Sequence, residues 1–352
     1  MNVPLWAWAA TVGLILVLLA VDLVVGRNPH DVTMREAALW SVFYLGVAIA
    51  FGVVVWTNAG SDLGTQYYAA WLVEKSLSVD NLFIFVIIFA KFAVPSELQQ
   101  RALVIGVALA LVLRAAFIAV GAAALELFAF TFVIFGAFLL WTAVQLFRHR
   151  NEDADLDDNG LLRMARSRLR VTDEYHENRL RVNIDGVKAW TPMALVLLAI
   201  GSTDLLFALD SIPATFGVTE EPFLVFAANA FALLGLRALF FVLHNLLDKL
   251  IYLAIGLSAI LGFIGIKLIL TFVHEVVPAV PKVSTALSLA FIVFTLTVTT
   301  VTSLMRARRD PTAHAHSGRM RGHRTDGAPS DLSVPPPAQG RPRVEPRGDP
   351  SD

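Results

Sequence analysis

Four carboxylates stand inside stretches of this sequence that are otherwise apolar. They are Glu74, Asp80, Asp204 and Asp210. In each of the two stretches an acid is followed six positions later by an aspartate and then by a small polar residue, Asn81 in the first and Ser211 in the second. Carboxylate, amide and hydroxyl oxygens are hard ligands of the kind that Mn²⁺, Mg²⁺ and Ca²⁺ prefer in proteins. The chemistry indicated by these residues is therefore binding of a divalent metal cation.

The remaining metal-binding residue types narrow the choice of ion. The sequence contains no cysteine, which excludes thiolate ligands and disulfides. Zinc and copper favour imidazole or thiolate, so a site made of oxygens favours the harder ions. Asn229, in the polar break FAANAF, is a further oxygen ligand, although it could instead hydrogen bond to a neighbouring helix. The predicted metal site consists of the four acids with Asn81, Ser211 and Asn229.

Burying a carboxylate in an apolar segment is unfavourable in free energy. A carboxylate at the centre of a membrane helix costs about 2.5–3.5 kcal/mol on insertion scales. A bound cation, protonation, water in a cavity or pairing with an intramembrane cation would offset it. The cations in the same segments are Lys75, Arg114, Arg237 and Lys267. Pairing alone would make the acids structural, with Arg114 and Arg237 as cationic partners that hold helices together. Each pair of acids has only one such arginine near mid-helix, however, and this excess of acid favours a cation site.

The acids lie in segments that the composition assigns to a membrane. Of the 352 residues, 56% are hydrophobic and 16% are charged, and the mean hydropathy is +0.65. Runs of about 20 apolar residues, the length that crosses a hydrocarbon core of roughly 30 Å as a helix, recur along the chain. The sequence predicts an all-α, polytopic bundle of about nine transmembrane helices: 5–25, 37–57, 69–92, 101–121, 125–147, 191–213, 222–245, 249–272 and 284–305.

The two acidic stretches belong to a predicted internal repeat. The acid pairs align without a gap, and Arg114 in VLRAAF corresponds to Arg237 in GLRALFF. Residues 69–147, the third to fifth helices, therefore repeat as 191–272, the sixth to eighth. Because three is an odd number of helices, the second copy crosses the membrane in the opposite direction. Transporters are commonly built from such inverted repeats, with the substrate site between the copies near the bilayer midplane. The remaining helices are peripheral in this arrangement: 5–25, 37–57 and 284–305.

The spacing also predicts toward which side of its helix each acid points. On an ideal helix Glu74, Ser78 and Asn81 share one face, whereas a residue six positions on, such as Asp80, is turned away by about 120°. Both acids of a pair reach one ion only if the helix unwinds or the second acid approaches from the side. In the second copy, Gly-Ser-Thr before the first acid and Pro213 after the second could interrupt the helix. We therefore expect a break in that helix.

Two polar segments accompany the predicted transmembrane domain, 1–305. The segment 148–190 contains RVNIDGVKAW, whose alternation around Asp-Gly predicts a hairpin. The segment 306–352 has the composition of a disordered tail. Basic residues fall mostly on one side, so the positive-inside rule places the N-terminus outside and both segments in the cytoplasm of a multi-pass plasma-membrane protein. The net charge of −1 does not indicate a nucleic-acid partner.

Three motifs, EKSLSVDNLFIF, TPMALVLLAIGSTDLLFALDSIPATFG and NAFALLGLRALFFVL, closely resemble the TerC family of bacterial membrane proteins. The resemblance runs from about residue 35 to 305. It implies a family named for tellurite-resistance operons, associated with manganese efflux and with metal supply to exported enzymes, and related to exporters of lysine, cadmium and manganese. By resemblance, the candidate residues form the ion site and Mn²⁺ is the transported ion, with no prosthetic group. The absence of cysteine argues against thiol chemistry on tellurite, so the resistance name describes a phenotype.

The function favoured by these observations is export of a divalent cation, with Mn²⁺ as the leading substrate and proton exchange through the same carboxylates as an option. The alternative is a non-transporting scaffold that anchors stress-response partners through 148–190 and 306–352. No catalytic residue is predicted, because HExxH, GxSxG and cysteine are all missing from the sequence. The expected partners are the metal ion and the lipid bilayer, and protein partners in the membrane or cytoplasm are left open.

Overall fold

The computed structural model describes residues 3–25, 33–149, 172, 180–184, 187–243, 250–277, 280 and 283–309. Most of the segment 148–190 and all of the tail from residue 310 lie outside these ranges. The predicted disorder of the tail and the predicted domain boundaries therefore stay predictions.

Within the described ranges the chain forms ten α-helices and one antiparallel hairpin. The helices are α1 (Leu5–Val25), α2 (Met34–Ala59), α3 (Ser61–Lys91), α4 (Ser96–Leu127), α5 (Thr131–Arg148), α6 (Pro192–Phe216), α7 (Pro222–Leu233), α8 (Leu236–Leu243), α9 (Leu253–Val276) and α10 (Thr285–Arg309). The strands are β1 (Arg181–Ile184) and β2 (Val187–Trp190). The predicted all-α, polytopic fold is confirmed.

Fewer helices than predicted meet the apolar criterion for crossing a membrane. Among the described residues, α1, α2, α4, α5, α6, α9 and α10 are long and apolar enough, and α7 with α8 forms an eighth span that is bent by 41°. The remaining predicted crossing, 69–92, lies within the 31-residue helix α3 except for its last residue. This helix carries Glu74, Lys75 and Asp80 in its middle, and these three charged residues make it less apolar than the other spans.

Helix α3 nevertheless extends along the whole of the bent span. Near its start, Gln66 accepts a 2.6 Å hydrogen bond from the connection between α6 and α7. At mid-length Lys75 donates to the carbonyl oxygen of Ala232 in α7 at 3.0 Å, and near its end Phe89 packs edge-on against Phe240 of α8. A helix of this length measures about 46 Å at 1.5 Å per residue, which is ample to cross a bilayer core. Its polar residues Glu74, Ser78 and Asn81 are buried among the other helices, so this part of α3 does not need to be apolar.

The bent span breaks at Gly235, between α7 and α8. This glycine has a φ of +79°, in the left-handed region, and a Cβ there would lie 2.7 Å from the Cβ of Tyr44 on α2. Both the backbone angle and the close approach of α2 require glycine at this position. The break leaves the carbonyl of Ala232 without a helical donor, and Lys75 supplies one.

The break predicted within α6 is not present, and this prediction was wrong. The helix is continuous from Pro192 to Phe216. Ser202 donates its hydroxyl to the carbonyl of Ala199 at 3.1 Å, a contact that leaves the helix intact. Pro213 lies in the last turn, so its missing N–H removes only one helical hydrogen bond.

The helices pair in the pattern that a two-fold repeat would produce. Helix α3 packs on α7 and α6 packs on α4, which is the same contact with the copies exchanged, and α5 packs on its counterpart α9. The α5–α9 crossing is close, because a Cβ on Gly136 would lie 2.7 Å from the carbonyl oxygen of Gly265. Small residues commonly allow such approaches between membrane helices. The pairing agrees with the inverted repeat, which itself stays a prediction.

The predicted hairpin forms in the segment before α6. Strands β1 and β2 pair antiparallel, with Arg181 opposite Trp190, and the guanidinium of Arg181 stacks 4.1 Å from the centre of the Trp190 ring. The Asp-Gly turn between the strands lies outside the described residues.

Candidate cation site

One arginine organises the polar interior of the bundle. Arg114, in the middle of α4, has 1% of its side chain exposed. Its Nη1 donates to the Oδ1 of Asn229 at 2.8 Å and to the Oγ of Ser211 at 3.2 Å. Its Nη2 lies 3.3 Å from the Oδ1 of Asp204, and Nη1 also forms an ion pair with the Oε1 of Glu74. The two terminal nitrogens therefore contact oxygens from α3, α6 and α7.

Thr215 completes this group, which we call the Arg114 cluster: Glu74, Arg114, Asp204, Ser211, Thr215 and Asn229. The Thr215 hydroxyl lies 3.3 Å from the Oε2 of Glu74 and 2.8 Å from the carbonyl oxygen of Ser211. Each member of the cluster has 2% or less of its surface exposed. The cluster is therefore closed to water from both ends of the bundle, and its charges interact in a medium of low dielectric constant.

Helical spacing explains which residues meet in the cluster. Asp204, Ser211 and Thr215 are separated by seven and four positions, so they lie along one stripe of α6. On α3, Glu74 and Ser78 are one turn apart, and both are fully buried. The common face predicted for Glu74, Ser78 and Asn81 agrees with their burial, since Asn81 has only 3% of its surface exposed.

Four of the seven predicted ligands thus come together, and the other three are placed as follows. Asp210 is turned away from the stripe of Asp204, as its six-residue spacing predicts, and accepts a 3.2 Å hydrogen bond from Thr142 of α5. Asn81 is buried in α3. The backbone of Asp80 is helical, but its side chain lies outside the part of the chain that the structure describes.

The described side chains do not form a preformed metal-binding site. Among them, no group of three or more His, Asp and Glu residues is placed to hold a metal ion. The donor chemistry nevertheless suits a hard cation, since carboxylate, amide and hydroxyl oxygens converge on Arg114. Two buried oxygens, Asp204 Oδ2 and Ser78 Oγ, have no hydrogen-bond partner, and neither do the Nε of Arg114 and the Nδ2 of Asn229. Such atoms are rare in protein interiors, and each calls for a physical explanation.

The other predicted cationic partner belongs to a different pair. Arg237, near the start of α8, donates its Nε to the Oδ1 of Asp22 at 3.0 Å, and its Nη2 lies 2.9 Å from the same oxygen. The described ion pair of Arg237 is therefore with Asp22 of α1, and α8 packs on α2. Sequence reasoning missed Asp22, although a lone acid inside an apolar span was a signal that could have found it.

The sequence profile of the integral membrane protein TerC family matches residues 59–311. The chain belongs to the TerC family. The matched region contains the entire Arg114 cluster, whereas Asp22 of α1 lies outside it.

Similar TerC-family chains occur in distant bacteria. An uncharacterized membrane protein of Mycobacterium tuberculosis is 44% identical over 316 residues, covering 86% of this chain and 79% of the relative. One from Myxococcus xanthus is 40% identical over 315 residues, covering 89% and 96%. The Escherichia coli protein named "Putative membrane-bound redox modulator Alx" is 38% identical over 278 residues, covering 76% and 87%. No solved structure matches the chain significantly.

Two cavities open at the end of this TerC-family bundle where α6 connects to α7. Their volumes are about 290 and 560 Å³, and both are lined by Phe132, Phe216, Glu220 and Glu221. The smaller is also lined by Lys267 and the larger by Glu126. Phe216 directly follows Thr215 of the Arg114 cluster in α6. No local sequence pattern predicts these cavities, because their lining comes from separate helix ends.

Proposed function

We propose that this TerC-family protein exports divalent metal cations, with Mn²⁺ as the leading substrate, through its buried acids Glu74, Asp204 and Asp210. The observation that carries the proposal is the convergence of hard oxygen ligands in an enclosed site between the predicted repeat copies. Membrane transporters place substrate sites in this position. The ion is cargo that passes through the protein.

The balance of charge favours a cation as the cargo. Within the Arg114 cluster, Glu74 and Asp204 carry two formal negative charges and Arg114 carries one positive charge, which leaves one formal negative charge. A buried excess of acid is costly unless a cation or protons neutralise it, so the same carboxylates could carry protons in exchange for the metal.

The charge of the two bundle ends supports an outward direction of export. One end has the acidic cavities lined by Glu126, Glu220 and Glu221. Basic residues lie at the other end, where α3, α5 and α10 terminate: Lys91, Arg148, Arg306, Arg308 and Arg309. The positive-inside rule makes the basic end cytoplasmic in the plasma membrane. The acidic end then faces outside, where carboxylates would help a departing cation.

Export is also compatible with the name of the Alx relatives. These 352 residues contain no cysteine, so this chain has no thiol for redox exchange. Manganese is itself a redox-active metal, and its removal from the cytoplasm would change the redox state of a cell indirectly. In the same way, metal and tellurite stress resistance would be phenotypes of ion export.

Transport through the acids is tested with Asp210→Asn, because Asp210 is buried and accepts a hydrogen bond from Thr142 of α5. In inside-out membrane vesicles at matched protein levels, we expect wild type to accumulate Mn²⁺ and Asp210→Asn to accumulate it at least tenfold more slowly. Asp62→Asn, the same change at an exposed acid of α3, is the control and should transport normally. Equal accumulation by wild type and Asp210→Asn would contradict the proposal.

A second candidate is a non-transporting scaffold in which the acids only hold helices together. The ion pairs of Arg114 with Glu74 and Asp204 favour it, since they join α3, α4 and α6 without a metal. In this case wild-type vesicles would accumulate no metal above vesicles without the protein, while Asp204→Asn would still destabilise the bundle. Measuring flux and thermal stability together separates the two functions.

A further inference from the structure

We propose that Arg114 is a built-in counter-cation that occupies the oxygens of the cation site when the site is empty and that must release them when the metal binds. This inference rests on the proposed function and adds a residue that sets metal affinity and drives the return of the empty carrier.

The first support is the identity of the atoms that Arg114 contacts. Its Nη1 and Nη2 reach one oxygen each of Glu74, Asp204, Ser211 and Asn229. These four residues were selected from the sequence as metal ligands, for reasons independent of Arg114. The guanidinium therefore occupies the place where those ligands converge.

The second support is that the two cations exclude each other. A divalent ion bound by the same oxygens would lie within a few ångströms of the guanidinium, in an interior where like charges repel strongly. Arginine stays protonated in proteins, so it cannot avoid this repulsion by losing its charge. Metal binding and the observed contacts of Arg114 are therefore alternative states of one site.

The third support is that the Arg114 cluster is incompletely satisfied. Arg114 Nε, Asp204 Oδ2 and Asn229 Nδ2 are buried without hydrogen-bond partners. A purely structural arginine with five N–H donors among acids would be expected to satisfy such atoms. Their unpaired state is typical of a cluster that has a second arrangement with other partners.

The functional consequence concerns the empty carrier. After the metal leaves, bare carboxylates in the bundle would oppose the conformational step that returns the site to the cytoplasmic side. Arg114 pairs with Glu74 and Asp204 and offsets one of their two negative charges, so the empty protein completes its cycle at a lower cost. Loss of the arginine charge should therefore strengthen metal binding and block net export, while metal-for-metal exchange continues.

The experiment uses the full chain, purified and reconstituted in proteoliposomes, with Mn²⁺ as the probe. Wild type, Arg114→Gln and Arg114→Lys are compared for the Kd of Mn²⁺ in detergent, for net Mn²⁺ efflux and for exchange of internal Mn²⁺ against external Mn²⁺. We expect Arg114→Gln to bind Mn²⁺ at least tenfold more tightly, to keep exchange within about threefold of wild type, and to lose net efflux at least tenfold. Lysine keeps the charge but reaches fewer oxygens, so Arg114→Lys should bind only about two- to fivefold more tightly and keep net efflux.

The outcomes separate this inference from the proposed function. If wild type transports Mn²⁺ normally but folded Arg114→Gln binds Mn²⁺ no more tightly than wild type, the role proposed for Arg114 is overturned. The proposed function is not affected by that result. Parallel loss of exchange and net efflux in folded Arg114→Gln would also overturn the role of Arg114. Absence of flux and binding in wild type would overturn the proposed function and the inference with it. If Arg114→Gln does not fold, Arg114→Lys decides: affinity equal to or weaker than wild type contradicts the proposal.

Discussion

Arg114 and Arg237 occupy corresponding positions in the predicted repeat, yet the structure gives them different surroundings. Arg114 contacts oxygens from three helices, and four of its partners are candidate ligands. Among the described side chains, Arg237 contacts one carboxylate, Asp22 of α1, through two of its nitrogens. The same residue in a similar local motif thus joins the candidate site in one copy and a peripheral helix in the other.

The difference follows from the continuity of the helix that carries each arginine. Helix α4 runs unbroken from Ser96 to Leu127, which holds Arg114 at the centre of the bundle. The corresponding span is broken at Gly235, two residues before Arg237. The first arginine is therefore suited to respond to ligands in the site. The second is suited to fix the orientation of a half-helix, since Tyr44 and Asp22 hold α8 from outside the repeat.

The largest difference between the two arginines should appear in stability without metal. Arg114→Ala leaves both Glu74 and Asp204 buried without their cation, and breaking a buried pair costs about 3–5 kcal/mol. We expect Arg114→Ala to lose at least this much free energy of unfolding, measured by denaturant titration in detergent micelles. Because Mn²⁺ can replace the missing charge, millimolar Mn²⁺ should restore much of the loss.

Arg237→Ala is the matched control for that experiment. It also leaves one buried acid unpaired and should destabilise the protein, but Mn²⁺ should not restore its stability. Equal recovery of both variants with Mn²⁺ would remove the distinction between a site arginine and an anchoring arginine.

A smaller loss of stability is expected when Asp22, the acid of the Asp22–Arg237 pair, is changed. Asp22→Asn keeps an acceptor for Arg237 but removes the negative charge, so we expect a loss of about 2–3 kcal/mol in the free energy of unfolding. Mn²⁺ binding should stay within about threefold of wild type, because Asp22 is not a member of the Arg114 cluster. The Kd for Mn²⁺ and a double-mutant cycle with Arg237→Gln measure these effects.

Two results of these measurements would contradict the prediction for Asp22. If Asp22→Asn and Arg237→Gln have additive effects on stability, the two residues do not interact in solution. If Asp22→Asn weakens Mn²⁺ binding as strongly as a change within the Arg114 cluster, the two regions are not separate.

Local spacing on single helices was predictable from the sequence, and contacts between helices were only partly so. The seven-residue spacing of Asp204 and Ser211 places them on one stripe, and the six-residue spacing turns Asp210 toward Thr142. By contrast, the partner of Arg237 depends on how α8 is directed after Gly235, which no local pattern encodes. The sequence signals for a break, Gly-Ser-Thr before Asp204 and Pro213 after Asp210, both lie in α6, which is continuous. A proline in the last turn of a helix disrupts little, whereas a glycine with positive φ beside Tyr44 ends the helix.

The smallest of the expected effects concerns this glycine, which separates the surroundings of the two arginines. Gly235→Ala places a Cβ on a residue with a φ of +79°, for which an L-residue pays roughly 1–2 kcal/mol. The new methyl group would also meet the Tyr44 side chain, 2.7 Å away. We expect a loss of about 2 kcal/mol in the free energy of unfolding and slower Mn²⁺ flux, with the Kd for Mn²⁺ changed less than threefold. Tyr44→Gly removes the Cβ of residue 44 as well as its ring. In the Tyr44→Gly background, Gly235→Ala should therefore cost only the part of the loss that comes from the backbone angle. No loss in that background would assign the whole effect to packing, and a Kd that changes as much as flux would place the break within the cation site itself.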